Sequence, residues 1–385
     1  MLCEIIKKQV SVIVSAAVIL SAALMNVTAD EALPFDVNAK SAILMEARTG
    51  EVLYNKNGDE ALPPASVTKV MTLLLVMEAV DSGVFTLADP VSVSEYAASM
   101  GGSQVYLEPG EEMTVEDMLK CVIIASANDA AVALAEKVSG SVDGFVSRMN
   151  ERAAELGMQN THFENPTGLD DAVTNHTISA KDIAIMSREL IRHKKVLEYS
   201  GIWMDTIRNG EFGLTNTNRL IRFYNGATGL KTGSTSKAGF CISATAKRDG
   251  MHLIAVIMGS PTRDERNNAA KALLDYGFAK YCLYTDEGGN GGEVTVKSGV
   301  KNSVTVKYDG VTKLLPAGKK NGVETEVVLD PFVTAPVKTG QKLGVVKYTL
   351  DGEVIGEIEA VAAEDVPRIG YFIILYRMLC RFIIA

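Results

Sequence analysis

The feature that most restricts the fold is an apolar segment that begins directly after two prolines. The stretch LPPASVTKVMTLLLVMEAV covers residues 62–80, and a helix over about 66–80 is apolar on nearly every side. Such a helix lies in the centre of a domain or spans a membrane. Because it is too short to span a bilayer and contains Lys69, the segment predicts a central buried helix.

A hydroxyl and an amine stand at the start of this helix. Ser66 and Lys69 are three residues apart and therefore share one helix face. A serine hydroxyl needs a nearby base to act as a nucleophile, and burial makes a lysine amine available as that base. The alternative is an N-capping serine with a lysine that reaches to solvent. Since Ser-x-x-Lys recurs at 234–237 and 298–301, this motif alone leaves both interpretations open.

Two further motifs separate the interpretations. The sequence SAN at 126–128 interrupts an apolar helical run over 114–138 and is the only Ser-x-Asn in the chain. The sequence KTG at 231–233 precedes a predicted hairpin over 239–260. A second KTG at 338–340 is typical of an ordinary turn before a strand. Ser-x-Asn alone fits a harmless turn between helices better, but together the two further motifs favour the catalytic interpretation of Ser66.

The order Ser-x-x-Lys, Ser-x-Asn, Lys-Thr-Gly resembles that of the penicillin-recognising serine acyl-transferases. Within that group the chain is similar to the low-molecular-weight D-alanyl-D-alanine carboxypeptidases, peptidase family S11. The supporting stretches are 101–119, 163–171, 176–190 and 216–236. The resemblance implies an α/β (α+β) serine β-lactamase/penicillin-binding-protein-like transpeptidase domain, followed by a small all-β domain. One departure is Thr167 in the NPTGL loop, where family members often have histidine.

The same resemblance implies the catalytic roles. Ser66 would attack the carbonyl between two D-alanines of a peptidoglycan stem peptide, Lys69 would take its proton, and Ser126 would relay a proton to the leaving amine. Backbone N–H groups of Ser66 and Ser234 would form the oxyanion hole. β-Lactam antibiotics would acylate the same serine, and no cofactor or metal is implied. The resemblance assigns substrate binding to a second set of residues: Asn128 for the substrate amide, Lys231 for the electrostatics, Thr232 for the terminal carboxylate, with Gly233 and Ser234.

The chain of 385 residues is long enough for two globular domains. Residues 1–29 have the order of a secretory signal peptide: a positive start, an apolar core, and small residues before the cleavage point. The alternative is a buried first helix or a retained anchor. The glycine-rich stretch at 286–292 predicts a linker. We therefore expect a catalytic domain over 30–285, a C-terminal β-rich domain over 286–366 and an amphipathic membrane-anchoring tail over 367–385.

Local patterns predict the individual elements. Two strands are expected within 41–57, and Thr114 is expected to cap a helix. Turns are expected at Asp309-Gly310, at Asp351-Gly352 and, within the hairpin, at 248–250. Further helices are predicted near 144–156, 179–193 and 266–282.

The net charge of the chain and its C-terminal tail indicate which partners the protein has. The formal net charge of −9 and the pI of about 5.2 argue against nucleic acid. Cysteines have neither a disulfide pattern nor metal-ligand spacing.

The tail is too short to span a bilayer and contains Arg377 and Arg381 on one helix face, so it predicts a helix that lies in the membrane interface. The protein is expected to be exported and peripherally attached to the outer face of the cytoplasmic membrane. The alternative is a tail that packs on the β domain.

Two other functions remain as alternatives. A β-lactamase-like hydrolase would need a deacylating glutamate, typically in a Glu-x-x-Leu-Asn loop, and the sequence has no such motif. An inactive cell-wall-binding scaffold would keep the fold without the reaction. Penicillin separates the three functions: stable labelling with slow release indicates a carboxypeptidase, rapid release a lactamase, and no labelling a scaffold.

Overall fold

The structure is a computed structural model that describes residues 37–171 and 173–376. The predicted signal peptide and the last nine residues of the predicted tail, 377–385, lie outside the described residues.

The first part of the described chain mixes helices and strands, and the last part is built of strands. The helices are α1 Lys69–Asp81, α2 Glu95–Ala98, α3 Val115–Lys120, α4 Asn128–Ser139, α5 Val142–Glu155, α6 Ala180–Leu190, α7 Lys194–Ser200, α8 Leu220–Phe223 and α9 Arg263–Lys280. The strands of the first part are β1 Ser41–Glu46, β2 Val52–Lys56, β3 Ala61–Leu62, β4 Pro90–Ser92, β5 Glu112–Thr114, β6 Thr161–His162, β7 Thr177–Ser179, β8 Met204–Ile207, β9 Phe212–Thr215, β10 Ala227–Thr235, β11 Gly239–Arg248 and β12 Met251–Ser260. The strands of the last part are β13 Tyr281–Lys297, β14 Ser303–Pro316, β15 Val323–Leu329, β16 Val333–Thr334, β17 Lys342–Leu350 and β18 Glu353–Ala362.

A five-stranded antiparallel sheet in the order β10-β11-β12-β1-β2 organises the first part. All six residues of β1 are buried because both faces of the strand are covered. Side chains alternate between the faces of a strand. Ile43 therefore belongs to the core that also contains α1. Leu44 is on the opposite face and lies against α9, because a Cβ on Gly277 of that helix would lie 3.0 Å from Leu44 Cδ2.

The central buried helix predicted from the sequence is α1. It follows one turn of 3-10 helix over Ala65–Thr68, directly after the two prolines. Every residue of 69–77 is buried, and α1 packs against α4 and α6. The helix holds Lys69 at its first position, so the amine is buried together with the apolar side chains.

The helical run predicted over 114–138 is present, but it is interrupted. Helix α3 begins after Thr114, whose side chain accepts a hydrogen bond from the backbone N–H of Asp117 at 3.1 Å, as predicted for a cap. A π-helical turn over Cys121–Ala125 follows, and Ser126 then has a left-handed backbone with φ of 66°. This residue ends the turn directly before α4.

Most other local predictions are confirmed. The strands within 41–57 are β1 and β2, and the hairpin over 239–260 is β11 and β12. Asp249 in the turn between β11 and β12 has a φ of 49°. The helices expected near 144–156, 179–193 and 266–282 are α5, α6 and α9, with bounds that differ by a few residues.

The last part is a six-stranded sheet in the order β15-β17-β18-β14-β13-β16. Its core is a separate cluster of buried side chains that includes Val306, Val346 and Tyr348. The hydroxyl of Tyr348 donates to Asp286 Oδ2 at 2.7 Å, so this buried ring keeps a hydrogen-bond partner. The turn predicted at Asp351-Gly352 joins β17 to β18.

The predicted linker and one predicted turn are wrong. The glycines of 286–292 lie inside β13, and Asp309-Gly310 lies inside β14, because these two strands pair along almost their full length. A Cβ on Gly310 would lie 2.3 Å from the carbonyl oxygen of Asp286, and one on Gly288 would lie 2.6 Å from that of Tyr308. The glycines thus permit close approach of two strands, a role that glycine composition does not distinguish from a flexible linker.

The start of the predicted tail is tied to the β domain. Arg368 forms a bridge with Gly299, and the backbone N–H of Ile369 donates to the carbonyl of Ser298 at 2.8 Å. Residues 371–376 then form a helical segment with exposed side chains, of which Phe372 is 83% exposed. Within 37–171 and 173–376 the structure has no helix whose length and hydropathy suit a membrane span.

Candidate active site

The three motifs meet at one cleft of about 690 Å³. Ser66 is at the start of α1, Ser126 ends the π-helical turn before α4, and Lys231 to Ser234 lie on β10. The cleft is lined by Ser66, Ser103, Ser126, Trp203, Thr215, Asn216, Thr217, Arg219, Phe223, Thr232, Gly233, Ser234, Arg263 and Arg266. Residues separated by more than 160 positions in sequence therefore share one surface.

The first pair in the cleft is Ser66 and Lys69. Lys69 Nζ lies 2.9 Å from Ser66 Oγ. Ser66 is partly exposed, whereas Lys69 is fully buried beneath it. This geometry allows a direct proton transfer between the hydroxyl and the amine.

The surroundings of Lys69 favour a neutral amine. Its Nζ also contacts Asn128 Oδ1 at 2.5 Å and the carbonyl oxygen of Thr167 at 2.8 Å. Burial lowers the pKa of Lys69 well below its usual value, and the nearby charge of Lys231 lowers it further, against the opposite effect of Asp129. The lowered pKa favours the neutral form of the amine, which is the form that can accept the serine proton.

The second pair is Ser126 and Lys231. Lys231 Nζ lies 2.8 Å from Ser126 Oγ and 2.9 Å from the carbonyl oxygen of Thr232. Burial, with a smaller effect from the charge of Arg266, lowers the pKa of Lys231 to about 7. The pair therefore has two groups able to pass a proton along a hydrogen bond.

Strand β10 passes directly beside the turn that holds Ser66. A Cβ on Gly233 would lie 2.8 Å from the backbone nitrogen of Ser66 and 2.9 Å from the carbonyl oxygen of Pro64. A side chain at this position would force the strand and the turn apart. Glycine in the Lys-Thr-Gly motif therefore keeps the backbone of Ser234 at the same cleft as Ser66.

Asn128 lies behind the cleft rather than in its lining. Its Oδ1 accepts from Lys69, and its Nδ2 donates to the carbonyl oxygen of Gly101 at 2.6 Å. The side chain is 2% exposed. In this structure Asn128 therefore positions the amine of Lys69, and its predicted contact with a substrate amide stays a prediction.

The NPTGL loop contributes a backbone group. The carbonyl oxygen of Thr167 binds Lys69, while its hydroxyl lies 3.1 Å from Asn165 Oδ1 within the loop. Because the contact with Lys69 is made by the main chain, it does not depend on the side chain at 167. Thr167, at the position where the resemblance implies a histidine, therefore leaves this contact in place.

Three arginines on one side of the cleft were not predicted from the sequence. Arg266 is 3% exposed and donates through Nε and Nη2 to Asn267 Oδ1 at 3.1 and 2.9 Å. Arg219 and Arg263 are exposed and line the same cleft. The sequence shows Arg266 only as part of a helix, and its distance from the three motifs hides its proximity to Lys231.

Two of the three carboxylates in the loop over 163–171, those of Glu164 and Asp170, accept hydrogen bonds from nearby protein groups. Glu164 Oε2 accepts from the backbone N–H groups of Thr174 and Asn175 at 3.1 and 3.0 Å. Asp170 Oδ2 accepts from the hydroxyl of Thr235 at 2.5 Å. Both carboxylates therefore contribute to holding the loop in place.

The repeated motifs have different surroundings. Lys301 is exposed and pairs with Glu364, so Ser-x-x-Lys at 298–301 has no buried amine. The second Lys-Thr-Gly binds Asp365 through Lys338 and Thr339 at the surface of the β domain. Lys237 is likewise exposed. Burial, which the four-letter pattern does not reveal, distinguishes the motif at Ser66 from its repeats.

Comparisons with known proteins agree with this organisation. A family model described as D-alanyl-D-alanine carboxypeptidase matches residues 25–262, and one described as the C-terminal domain of penicillin-binding protein 5 matches residues 284–368. The chain is 45% identical over 348 residues to D-alanyl-D-alanine carboxypeptidase DacF of Bacillus subtilis (strain 168), with 89% of each chain covered. It is 34% identical to DacC of Escherichia coli (strain K12), with 87% of this chain and 86% of that protein covered.

Solved structures show the same relationship. Penicillin binding protein 5 from Haemophilus influenzae superposes with a TM-score of 0.75 at 34% identity, over 88% of this chain and 100% of that one. Penicillin-binding protein D2 from Listeria monocytogenes, in its ampicillin-bound form, gives a TM-score of 0.58 at 32% identity, over 63% of this chain and 98% of that one. With the fold, the two family models and relatives that match over most of their length, this chain belongs to the D-alanyl-D-alanine carboxypeptidase family, with a penicillin-binding-protein transpeptidase domain followed by an all-β domain.

Proposed function

We propose that this protein is a serine-type D-Ala-D-Ala carboxypeptidase that removes the terminal D-alanine from peptidoglycan stem pentapeptides. The observation that supports it most strongly is the distance of 2.9 Å between Ser66 Oγ and the buried amine of Lys69. Beside them, Ser126 and Lys231 form a second hydrogen-bonded pair in the same cleft. A nucleophile with its base, and a second proton path, are the parts that peptide cleavage through an acyl-enzyme requires.

In the first half of the proposed reaction, Ser66 Oγ attacks the carbonyl between the two D-alanines while Lys69 Nζ takes its proton. The backbone N–H groups of Ser66 and Ser234 stabilise the negative charge that forms on the carbonyl oxygen. The carbon–nitrogen bond then breaks, and the proton that Lys69 accepted passes to the leaving amine through Ser126, which leaves Lys69 neutral for the second half. An ester between Ser66 and the shortened peptide remains, and free D-alanine leaves.

In the second half, water attacks the ester. The amine of Lys69 takes a proton from the water, the ester bond breaks, and the oxygen of Ser66 regains a proton. The shortened peptide leaves with a new carboxylate. A β-lactam acylates Ser66 in the same way, but its opened ring stays attached, so the adduct is released slowly.

The reaction is tested by incubating the protein with a pentapeptide that ends in D-Ala-D-Ala and measuring masses over time. We expect the loss of one alanine residue from the peptide together with the release of an equal amount of D-alanine. The matched control is the same peptide with L-alanine at its end. If the pentapeptide stays intact while penicillin still labels the protein, the carboxypeptidase assignment is wrong, and rapid release of the label would favour the β-lactamase-like function.

A first prediction concerns recognition of the substrate terminus by Lys231 and Thr232. The hydroxyl of Thr232 lies 2.8 Å from that of Thr217, and Arg266 adds positive charge on the same side. A hydrogen bond to a charged group contributes about 1.5–3 kcal/mol, so a pentapeptide amidated at its C-terminus is expected to react roughly 10–100-fold more slowly.

The matched control is a pentapeptide amidated at an internal carboxylate, which keeps its terminal charge. We expect this peptide to retain most of its kcat/KM. Equal kcat/KM for the terminal acid and the terminal amide would exclude carboxylate recognition and indicate an endopeptidase.

We further propose that the protein is exported and held at the outer face of the cytoplasmic membrane by its tail. The exposed aromatic and aliphatic side chains of 371–376 support this proposal. So does the sequence beyond them, in which Arg377 and Arg381 are four residues apart among apolar residues. A helix of this kind binds where apolar side chains enter the lipid and arginines meet anionic headgroups.

The second prediction follows from this attachment. A chain that ends at Gly370 keeps the bridges of Val366 and Arg368 with the β domain, so its fold is expected to be intact. We expect it to stay in the supernatant with vesicles that contain anionic lipid, whereas the chain with its tail sediments with them. Both should cleave a small pentapeptide equally well. Replacing Arg377 and Arg381 with glutamine provides the control for charge, and equal sedimentation of the shortened chain would contradict the proposal.

A further inference from the structure

A buried histidine joins two elements of the site that the motifs do not connect. His176 lies just before β7, and its Nε2 is 2.8 Å from the hydroxyl of Thr68, in the turn that holds Ser66. The ring is 6% exposed and does not line the cleft. It packs edge-on against Phe163, at the start of the loop whose carbonyl group at 167 binds Lys69.

The hydrogen bonds around the ring determine its tautomer. The backbone N–H of Glu164 lies 2.9 Å from His176 Nδ1, and a backbone N–H can only donate. Nδ1 therefore accepts, and in the neutral ring Nε2 is the atom that carries the hydrogen. Burial lowers the pKa of His176 to about 4, so the ring is neutral at neutral pH.

The hydrogen bond continues through Thr68. Since Nε2 donates to the hydroxyl of Thr68, that hydroxyl is free to donate in turn, and it lies 2.9 Å from the carbonyl oxygen of Ala65. A chain of two hydrogen bonds thus leads from His176 to the peptide group that joins Ala65 to Ser66. The nitrogen of that peptide group is the Ser66 N–H of the proposed oxyanion hole.

The peptide group at the end of this chain has an uncommon conformation. Ala65 has a φ of 49°, which costs a non-glycine residue free energy and persists only where the surroundings hold it. Gly168 packs against the same carbonyl, where a Cβ would lie 1.8 Å from the oxygen. The loop is also joined to α1, which follows the turn, by the hydroxyl of Thr72, which donates to the carbonyl oxygen of Pro166 at 2.6 Å.

We propose that His176 is a positioning residue for the acylation of Ser66. By donating to Thr68, it orients the hydroxyl that holds the carbonyl of Ala65, and so it sets the direction of both the hydroxyl and the N–H of Ser66. The proposal rests on the proposed function only in that Ser66 is the acylated residue. Because His176 does not contact the cleft, we expect it to affect the rate of acylation and not the binding of substrate.

The expected size of the decrease in acylation rate follows from the geometry of the reaction. A displacement of about 1 Å at a reacting group can lower a rate roughly 100-fold. We therefore expect His176→Leu to lower the acylation rate constant with a fluorescent penicillin by about 10–100-fold, with KM for the pentapeptide nearly unchanged. His176→Gln, which keeps an N–H donor, is expected to restore part of that rate. A higher KM for the pentapeptide with an unchanged acylation rate constant would overturn the proposal.

A double-mutant cycle tests the chain of hydrogen bonds. Thr68→Val removes the hydroxyl at nearly constant shape, so it interrupts the same chain as His176→Leu. We expect the double variant to acylate no more slowly than the slower of the two single variants, because both remove one connected unit. If the fold-decreases in acylation rate of the two single variants multiply in the double variant, the two residues act independently. That result would contradict the proposal.

The chain supplies a matched control in His252. This histidine is half-buried, burial also lowers its pKa to about 4, and its Nε2 lies 2.9 Å from the hydroxyl of Thr228. His252→Leu removes a hydrogen bond between a histidine and a threonine hydroxyl outside the turn of Ser66. We expect similar decreases in melting temperature for the two leucine variants, but an acylation rate within about threefold of the unmodified protein for His252→Leu.

Two further results would overturn the proposal. One is equal acylation rates for His176→Leu and His252→Leu at equal melting temperature, which would assign His176 a role in stability alone. The other is a nitrogen NMR spectrum in which His176 carries its hydrogen on Nδ1 at neutral pH. Penicillin acylation and the NMR measurement do not require peptide turnover, so they test His176 even if the pentapeptide proves not to be the substrate.

Discussion

Ser66→Ala is expected to abolish the covalent penicillin adduct and to lower kcat/KM on the pentapeptide by about 10⁴-fold or more. The physical reason is that the alanine side chain has no oxygen to form the acyl-enzyme, and a catalytic unit that loses its nucleophile loses most of its rate enhancement. The change removes one oxygen from a partly exposed position, so the fold should be unaffected. Intact-mass measurement of the protein after exposure to penicillin provides the readout.

The repeated motif in the β domain offers the control. Ser298 also has a lysine three residues later. However, Ser298 is exposed, and Lys301 pairs with Glu364. We expect Ser298→Ala to form the adduct at the normal rate. An adduct on the Ser66→Ala protein would show that another residue is the nucleophile.

Lys69→Met is expected to lower the acylation rate by about 10²–10⁴-fold, the usual contribution of a general base. Methionine fills a similar volume without an amine, and Ser66 then has no partner for its proton. Lys69→Arg should lose a similar factor because a guanidinium remains protonated at all working pH values. The measurement is the second-order rate constant of acylation, and normal rates in both variants would exclude Lys69 as the base.

The direction in which the acylation rate changes with pH follows from the role of Lys69 as a base. Lys69 acts as a base only when it is neutral, so acylation should fall as the pH decreases through its pKa. Burial and the charge of Lys231 lower that pKa, so the decrease is expected well below the usual range for lysine. Because Lys231, with a pKa of about 7, is close by, the profile reports apparent values that belong to both amines. The decrease should disappear from the residual activity of Lys69→Met.

Several features of this protein follow from short stretches of its sequence. The apolar run after Pro63 and Pro64 predicts a buried central helix because a segment that is apolar on all sides has no face for water. The cap at Thr114, the two hairpins and the turn at Asp351-Gly352 depend on residues within a few positions of each other, and these predictions are confirmed. The order of the three motifs carries the resemblance to the family, and the family models confirm it.

Other features depend on contacts that the local sequence does not contain. The glycines near 288 predict a flexible linker by composition, but they lie in a strand because the partner strand approaches too closely for a Cβ. Asn128 has an amide that could bind substrate, but in the fold both ends of that amide bind protein groups. In both cases the outcome depends on a neighbour far away in the chain.

The amines of Lys69 and Lys231 show the division between sequence and tertiary structure. The sequence by itself determined which groups are present: a hydroxyl and an amine at the start of a buried helix, a second hydroxyl at 126 and a second amine at 231. The tertiary structure decided that Lys69 and Lys231 are both buried and close to each other, with Arg266 near Lys231, whereas Lys301 in the same four-residue pattern is paired at the surface. The reason is that the pKa of an amine depends on how much water and which charges surround it, and only the folded chain sets both.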